Sequence, residues 1–245
     1  MTKAEIQFVR SLADKRTRDS EHLFIAEGFK LVDEIRQSQL RIRTIYTTRT
    51  DIAGSNVVII EKREMERISQ LNTPSDILAV TEQPHHTLSL NNLKYSLTLA
   101  LDGVQNPGNL GTIVRLADWF GVDNIICSRE CADLYNPKVV QATMGALLRV
   151  KVHYVDNLST ILHEAKSEGL AIYGTLLDGN NIYDEQLSSE GIIVMGNEGR
   201  GLGDDCRRML THKLFIPPYP ANAPTSESLN VAMATGIILS EFRRR

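Results

Sequence analysis

The chain has 245 residues, 42% of them hydrophobic and 23% charged, a composition that excludes a disordered, collagenous or coiled-coil polypeptide. Its length accommodates one large domain or two modest ones, either able to bury a core. With 27 basic and 30 acidic side chains the formal charge is -3, so a polyanion can be held only by a local patch and not by the whole molecule.

From the N-terminus, hydrophobic periodicity predicts a helix over 6–14, a strand HLFIAEG, a helix FKLVDEIRQS and a strand RIRTIYTT. A strand NVVII, a helix REMERISQ and a strand DILAVTE follow. This alternation forms a small α/β layer over residues 1–82. Residues 83–94, QPHHTLSLNNLK, are polar and weakly periodic and read as a linker.

A second set of β-α units occupies 95–245. It opens with strand SLTLALDG and a loop 102–111 leading into helix TIVRLADWFG, then strand NIICS and a helix over 137–148. Strand KVHYV, helix LSTILHEAKSEG and strands LAIYGTLL and GIIVMG come next. Turn NEGRGLG, helix DDCRRMLT, strand KLFIPP, an extended loop and a final helix from Ser226 complete the set. Strands alternating with helices predict an α/β fold with a parallel sheet covered on both faces. The last helix carries Leu229, Val231, Met233, Ile237 and Ile238 around most of its circumference, which implies burial on more than one side and a subunit interface as the second wall.

Cys127, Cys131 and Cys206 form no CxxC pair and the six histidines form no HxH or HExxH arrangement, so we expect a reducing compartment and no metal. The start MTKAEIQFVRSLADKR lacks the apolar region of a secretory signal, and VAMATGIIL is too short to span a bilayer. A cytoplasmic protein with no membrane segment is expected.

Three clusters carry chemistry. The loop Asp102 to Gly111 joins a strand to a helix, where backbone N–H groups can face an anion, and Arg115 stands one turn beyond it. Gly196-Asn197-Glu198-Gly199-Arg200-Gly201 allows close backbone approach and sets a carboxylate at a strand's carboxyl end, where it reads either as part of a ligand site or as a cap for the following helix. Thr225-Ser226-Glu227-Ser228-Leu229-Asn230 reads either as a helix-opening capping sequence or as a binding segment.

Together NPGNLGTIVR (106–115), MGNEGRGL (195–202) and IPP with SESLNVA (216–232) resemble the three motifs of the SpoU/TrmH family of RNA ribose 2′-O-methyltransferases in the SPOUT superfamily. Residues 1–82, with FIAEGFKLV, resemble the ribosomal-protein-like substrate-binding domain that many members carry. The resemblance implies a C-terminal trefoil-knotted α/β domain, a homodimer, and S-adenosylmethionine held by main-chain groups. Those groups belong to Thr175-Leu176, Met195-Gly196, and Ile216-Pro217 with Ser228-Leu229. It implies a reacting centre surrounded by Asn109, Arg115, Glu198, Ser228 and Asn230. A guanidinium stays protonated, so Arg115 is expected to clamp a phosphate and stabilise a developing alkoxide, in its own subunit's site or its partner's. The segment between Ile216 and Leu229 runs longer than the family's usual spacing, so the loop over the cofactor is expected to differ in shape.

The expected substrate is structured RNA, ribosomal ahead of transfer RNA. The other readings are a non-catalytic RNA-binding or ribosome-assembly factor on the same fold and a nucleotide-binding oxidoreductase, the latter lacking the dinucleotide fingerprint. Residues 1–82 hold 13 basic and 13 acidic side chains, so distribution decides where RNA would bind. Arg10, Lys15, Arg16 and Arg18 cluster in one stretch and Arg41, Arg43 and Arg49 in another, and both are expected to form the RNA face.

Overall fold

A computed structural model describes residues 1–220, 226 and 228–244. The long segment after Ile216 therefore falls partly, and Thr225, Glu227 and Arg245 wholly, outside the described residues. In chain order the elements are α1 (Lys3–Ser11), α2 (Lys15–Glu21), β1 (Leu23–Glu27), α3 (Phe29–Gln37), β2 (Ile42–Thr47), β3 (Val57–Ile59), α4 (Lys62–Ile68), β4 (Ile77–Glu82) and α5 (Leu90–Leu93). There follow β5 (Leu97–Leu101), α6 (Pro107–Trp119), β6 (Asn124–Ser128), α7 (Pro137–Thr143) with a 3-10 turn (Ala146–Leu148), β7 (Lys151–Val155) and α8 (Leu158–Ser167). The chain continues through β8 (Ile172–Asn181), β9 (Gly191–Met195), α9 (Asp204–Met209), β10 (His212–Phe215) and α10 (Val231–Arg244).

Two compact units result: residues 1–85 with 133–148, and residues 86–132 with 149–245. In the first, the sheet order is β1-β4-β2-β3, with β4 antiparallel to both β1 and β2 and β3 parallel to β2. Alternation along β4 serves two cores. Leu78 and Val80 join Ile6, Val9, Met65 and Ile68 on one face, while Ile77 and Ala79 join Val32 and Ile45 on the other. The returning segment 133–148 is tied in by a hydrogen bond of 2.7 Å from Gln141 Nε2 to the Glu27 carbonyl, and Tyr135 packs on Phe24 with ring centres 5.0 Å apart. Burial pushes the Glu27 carboxyl above its usual value despite hydrogen bonds from the Gln70 amide and the Ser69 hydroxyl.

The second unit is a six-stranded, wholly parallel sheet in the order β10-β8-β9-β5-β6-β7. Central β5 and β9 are buried at every residue, as strands covered on both faces must be. α10 packs against α6 on one side. Ala100, Ile126, Leu162, Ile172, Ile192 and Val194 share one continuous apolar cluster.

Several boundaries differ from the sequence expectation, each for a local reason. α1 begins at Lys3 because Thr2 and Glu5 form a reciprocal capping box. α2 was not expected, since KRTRDSE has no apolar periodicity to announce it. α6 begins at Pro107, not Thr112, because Asn106 Oδ1 accepts from the amides of Gly108 and Asn109 at 2.8 and 3.1 Å and proline suits the first helical position. The helix expected over 137–148 breaks where Met144 takes a φ of 49° and Gly145 a φ of 90°. α10 begins at Val231, not Ser226, because Asn230 Oδ1 accepts from the amides of Ala232 and Met233. No helix among the described residues is long and apolar enough to cross a membrane.

Candidate active site

Strand order explains why distant segments meet. Because β10, β8 and β9 are neighbours and all parallel, Ile216-Pro217, Thr175-Leu176 and Met195-Gly196 emerge at the same carboxyl end of the sheet, the edge at which open α/β sheets bind ligands. The β8–β10 register jumps there: Lys213 faces Gly174, yet Leu214 faces Asn180. Residues 175–179 consequently have no partner in β10, and the β8–β9 ladder stops at Gly174 and Val194. Main-chain groups of Leu176 thus lie beyond both ladders, one residue past the last bridged pair. Gly196 must lack a side chain, because a Cβ would fall 2.4 Å from the Gly201 carbonyl carbon where the turn folds back. Backbone at the ends of the paired ladders, beside half-buried Thr175, Leu176, Gly196, Ile216 and Pro217, suits an adenosine-bearing ligand read by main-chain donors and acceptors. The residues present therefore fit such a cofactor.

Three of the five residues expected around the reacting centre are brought together. Asn109 Nδ2 donates to Glu198 Oε1 at 2.8 Å, and Asn230 Nδ2 donates to Asn109 Oδ1 at 3.0 Å. One side-chain amide is thereby fixed from both ends by residues 89 and 121 positions away. The Asn106 amide adds a longer bond of 3.4 Å to Glu198 Oε1. Partial burial pushes the Glu198 carboxyl up, but the bonds from Asn109 and from nearby backbone amides outweigh it and leave it below its usual value. Glu198 is therefore a carboxylate at neutral pH. Ser228 and Leu229 are exposed just ahead of α10. Arg115 is exposed on α6 and makes no side-chain hydrogen bond or ion pair among the described residues.

The loop after β5 is pinned from three sides. The Gly103 amide donates to Ser128 Oγ at 3.0 Å, its carbonyl accepts from Asn197 Nδ2 at 2.6 Å, and Asp102 Oδ2 accepts from the Gly203 amide at 2.8 Å. Gly103 has a φ of 73°, which glycine adopts without strain. Cys131 closes the arrangement with its thiol on the Leu101 carbonyl at 3.2 Å. The neighbouring Cys127 foremost, with Ser128, brings the Cys131 thiol down to about 7. Asn106, Asn197 and Ser128 were missed from the sequence. Asn106 precedes the proline that opens α6, and an Asn-Pro pair was a legible signal for a cap. Ser128 has none, since its role depends on the pairing of β5 with β6.

In the first unit the expected RNA face needs one correction. Arg18 is 2% exposed, donating to the carbonyls of Leu12 and Ala13 and pairing with Asp133 at 2.5 Å. Its position on α2 turns it inward, so it is a structural cation and not a surface contact. Arg10 and Arg16 are exposed, and Lys15 pairs with Asp19 one turn along. Arg41 lies 3.4 Å from Glu82 and Arg43 4.0 Å from Glu21, both loose pairs at the solvent surface. Arg43 also lies over the Phe8 ring at 5.1 Å, and Arg49 is committed to Asp51.

Comparison with known proteins identifies the family. Residues 96–240 match the model of the SpoU rRNA Methylase family, and residues 3–79 match the MRM3-like substrate binding domain. The chain is 31% identical to the 23S rRNA (guanosine(2553)-2′-O)-methyltransferase RlmP of Bacillus subtilis, covering 96% of this chain and 94% of that one. It is also 31% identical to the 23S rRNA (guanosine-2′-O-)-methyltransferase RlmB of Coxiella burnetii, covering 87% and 86%. A TrmH-family structure from Porphyromonas gingivalis superposes with a TM-score of 0.89 at 38% identity, covering 100% of this chain and 98% of that one. An AdoMet-bound rRNA methyltransferase from Sinorhizobium meliloti superposes with a TM-score of 0.87 at 29% identity, covering 100% and 95%. The chain belongs to the SpoU family of S-adenosylmethionine-dependent RNA 2′-O-methyltransferases and carries an MRM3-like substrate-binding domain ahead of the catalytic fold.

Proposed function

We propose that this protein methylates the ribose 2′-hydroxyl of a guanosine in 23S ribosomal RNA. The observation that carries the reading is the Glu198–Asn109–Asn230 chain of hydrogen bonds at the carboxyl end of the parallel sheet. The relatives' substrates supply the nucleotide class.

S-adenosylmethionine, held by the backbone of Thr175, Leu176, Met195, Gly196, Ile216, Pro217, Ser228 and Leu229, supplies an electrophilic methyl group. The chain's own task is to align a hydroxyl and stabilise the charge it develops. The ionised Glu198 and the capping residue Asn230 lock the Asn109 amide in one orientation at the mouth of α6. Ser228 lies two residues from that lock and contacts the ribose. The uncommitted guanidinium of Arg115 clamps the phosphate beside it and offsets the developing alkoxide charge.

Residues 95–245, apart from the 133–148 stretch that belongs to the first compact unit, perform the transfer and thread the knot, 83–94 join the parts, and 1–82 capture RNA in the cytoplasm through Arg10, Lys15, Arg16, Arg41 and Arg43. A homodimer forms over the open faces of α6 and α10. Trp119 is 84% and Met233 63% exposed in the single chain, while Val231 and Ile238 on α10 are buried within it. A second copy covers Trp119 and Met233.

The test is transfer of labelled methyl from S-adenosylmethionine to ribosomal RNA from cells lacking the protein, followed by mapping. We expect one 2′-O-methylguanosine in 23S RNA. RNA binding without incorporation would establish the assembly-factor reading instead.

A further inference from the structure

Arg200 lies in the turn Gly196 to Gly201, two residues beyond Glu198, and takes no part in the hydrogen-bond chain described above. Its backbone is held rigidly. Asn197 Oδ1 accepts from the amides of Gly199 and Arg200 at 2.9 and 3.1 Å, and Asn197 and Gly201 exchange a pair of backbone bonds of 3.0 Å each. Its guanidinium lies on the Gly103 backbone: a Cβ on Gly103 would meet Arg200 Nη2 at 2.9 Å. Gly103 is itself hydrogen-bonded to Ser128 and Asn197, so the guanidinium lies against a pinned stretch of backbone.

What this cation does not do is equally informative. Its side chain forms no ion pair and no hydrogen bond among the described residues, although it lies near enough to Glu130 to lower that carboxyl. Asp102 is spent on the Gly203 amide and Glu198 accepts from Asn109. The Glu130 carboxyl, drawn down chiefly by Ser128 and in smaller part by Arg200, stands beyond ion-pair distance of it. Other arginines of this unit are neutralised in place: Arg129 by Asp156, Arg149 by Asp118 and Arg207 by Asp178. A planar donor group on a hydrogen-bonded turn, lying beside Gly103 with its donors open, suits a bidentate oxyanion.

We propose that Arg200 is a second phosphate contact of the RNA substrate, gripping a backbone phosphate at the rim of the reacting centre and setting where the target strand lies. This rests on the methyl-transfer reading above and adds a residue that orients the strand without touching the transferred group. A carboxylate, such as the one on the cofactor's methionine moiety, would answer the same chemistry, and the experiment separates the two.

Steady-state transfer to a ribosomal RNA fragment is measured for wild type, Arg200→Ala and Arg200→Lys across a salt series, with calorimetric titration of S-adenosylmethionine on each. For Arg200→Ala we expect a KM for RNA raised about tenfold or more, as befits a lost charged hydrogen bond. We expect kcat within about twofold, a salt slope of log KM smaller by about 0.7 to 0.9 for one phosphate, and unchanged cofactor affinity. Arg200→Lys should restore the slope while recovering only part of KM, because an ammonium keeps the charge and loses the fork. An unchanged salt slope in the alanine variant overturns the proposal, and so does cofactor affinity falling in step with KM. An inactive wild type would instead fault the transfer reading itself.

Discussion

The polar side chains at the sheet edge of the second unit and the cations of the first are held in opposite ways. Asn109, Glu198 and Asn230 are bonded to one another at 2.8 and 3.0 Å, so their geometry exists before any substrate arrives. Arg41 and Arg43 sit 3.4 and 4.0 Å from single exposed carboxylates, pairs of a kind that contributes little and exchanges readily for another anion. The difference separates the demands of chemistry from those of capture: transfer needs fixed atoms, whereas gripping a flexible polyanion needs charges that can be released. Arg18 breaks the pattern, being a cation of the first unit held as tightly as anything in the second.

Arg18 therefore offers the sharpest cut. Arg18→Ala leaves Asp133 without its partner and should cost about 3–5 kcal/mol of stability, read by urea unfolding. A variant of wild-type stability with weakened RNA binding would return Arg18 to the capture set. Next in size, Arg115→Ala should lower kcat by about 10²- to 10³-fold at unchanged cofactor affinity, with Arg115→Lys recovering part. Near-normal turnover in the alanine variant would remove Arg115 from the centre.

Glu198→Gln keeps the shape of the relay and removes its charge, and should lower kcat by about 10- to 100-fold. Since the fold depresses this carboxyl, the relay is complete above the usual carboxylate range and fails as pH falls through the lowered value. Wild-type kcat should show that acid limb and the glutamine variant should not; a limb of equal position in both would assign it elsewhere. The smallest effect belongs to Arg41→Glu with Arg43→Glu. It should reduce the salt slope of RNA binding by about 1.5 for two phosphates and leave kcat alone. A change in kcat would mean that capture and chemistry are not separable as argued.

Much of this architecture was legible because hydrophobic pattern and turn residues agree: the buried runs of β5 and β9 and the alternation along β4 announce themselves. The site's residues were legible through the resemblance of three short runs, yet their bonding was not. The contact of Asn109 with both Glu198 and Asn230 depends on strand order, which no local window contains. Arg18 shows the converse failure. Counting charge along KRTRDSE placed it on the surface, but side-chain direction follows from the helix, and α2 carries no apolar signal. The start of α6 was placed late because Gly108 and Gly111 read as loop, although Asn106 and Pro107 supply a cap and a first turn that tolerate them.

The return of segment 133–148 to the first unit bears on how the molecule can be taken apart. Scissors closed after His85 would yield an amino-terminal fragment missing Tyr135 against Phe24, Gln141 on the Glu27 carbonyl and the counter-ion of Arg18. Such a fragment would unfold more easily than the same residues in the intact polypeptide, and supplying the excised stretch as a separate peptide should restore part of the loss. Transplanting the front end of this chain should therefore succeed better when the sixteen residues 133–148 travel with it.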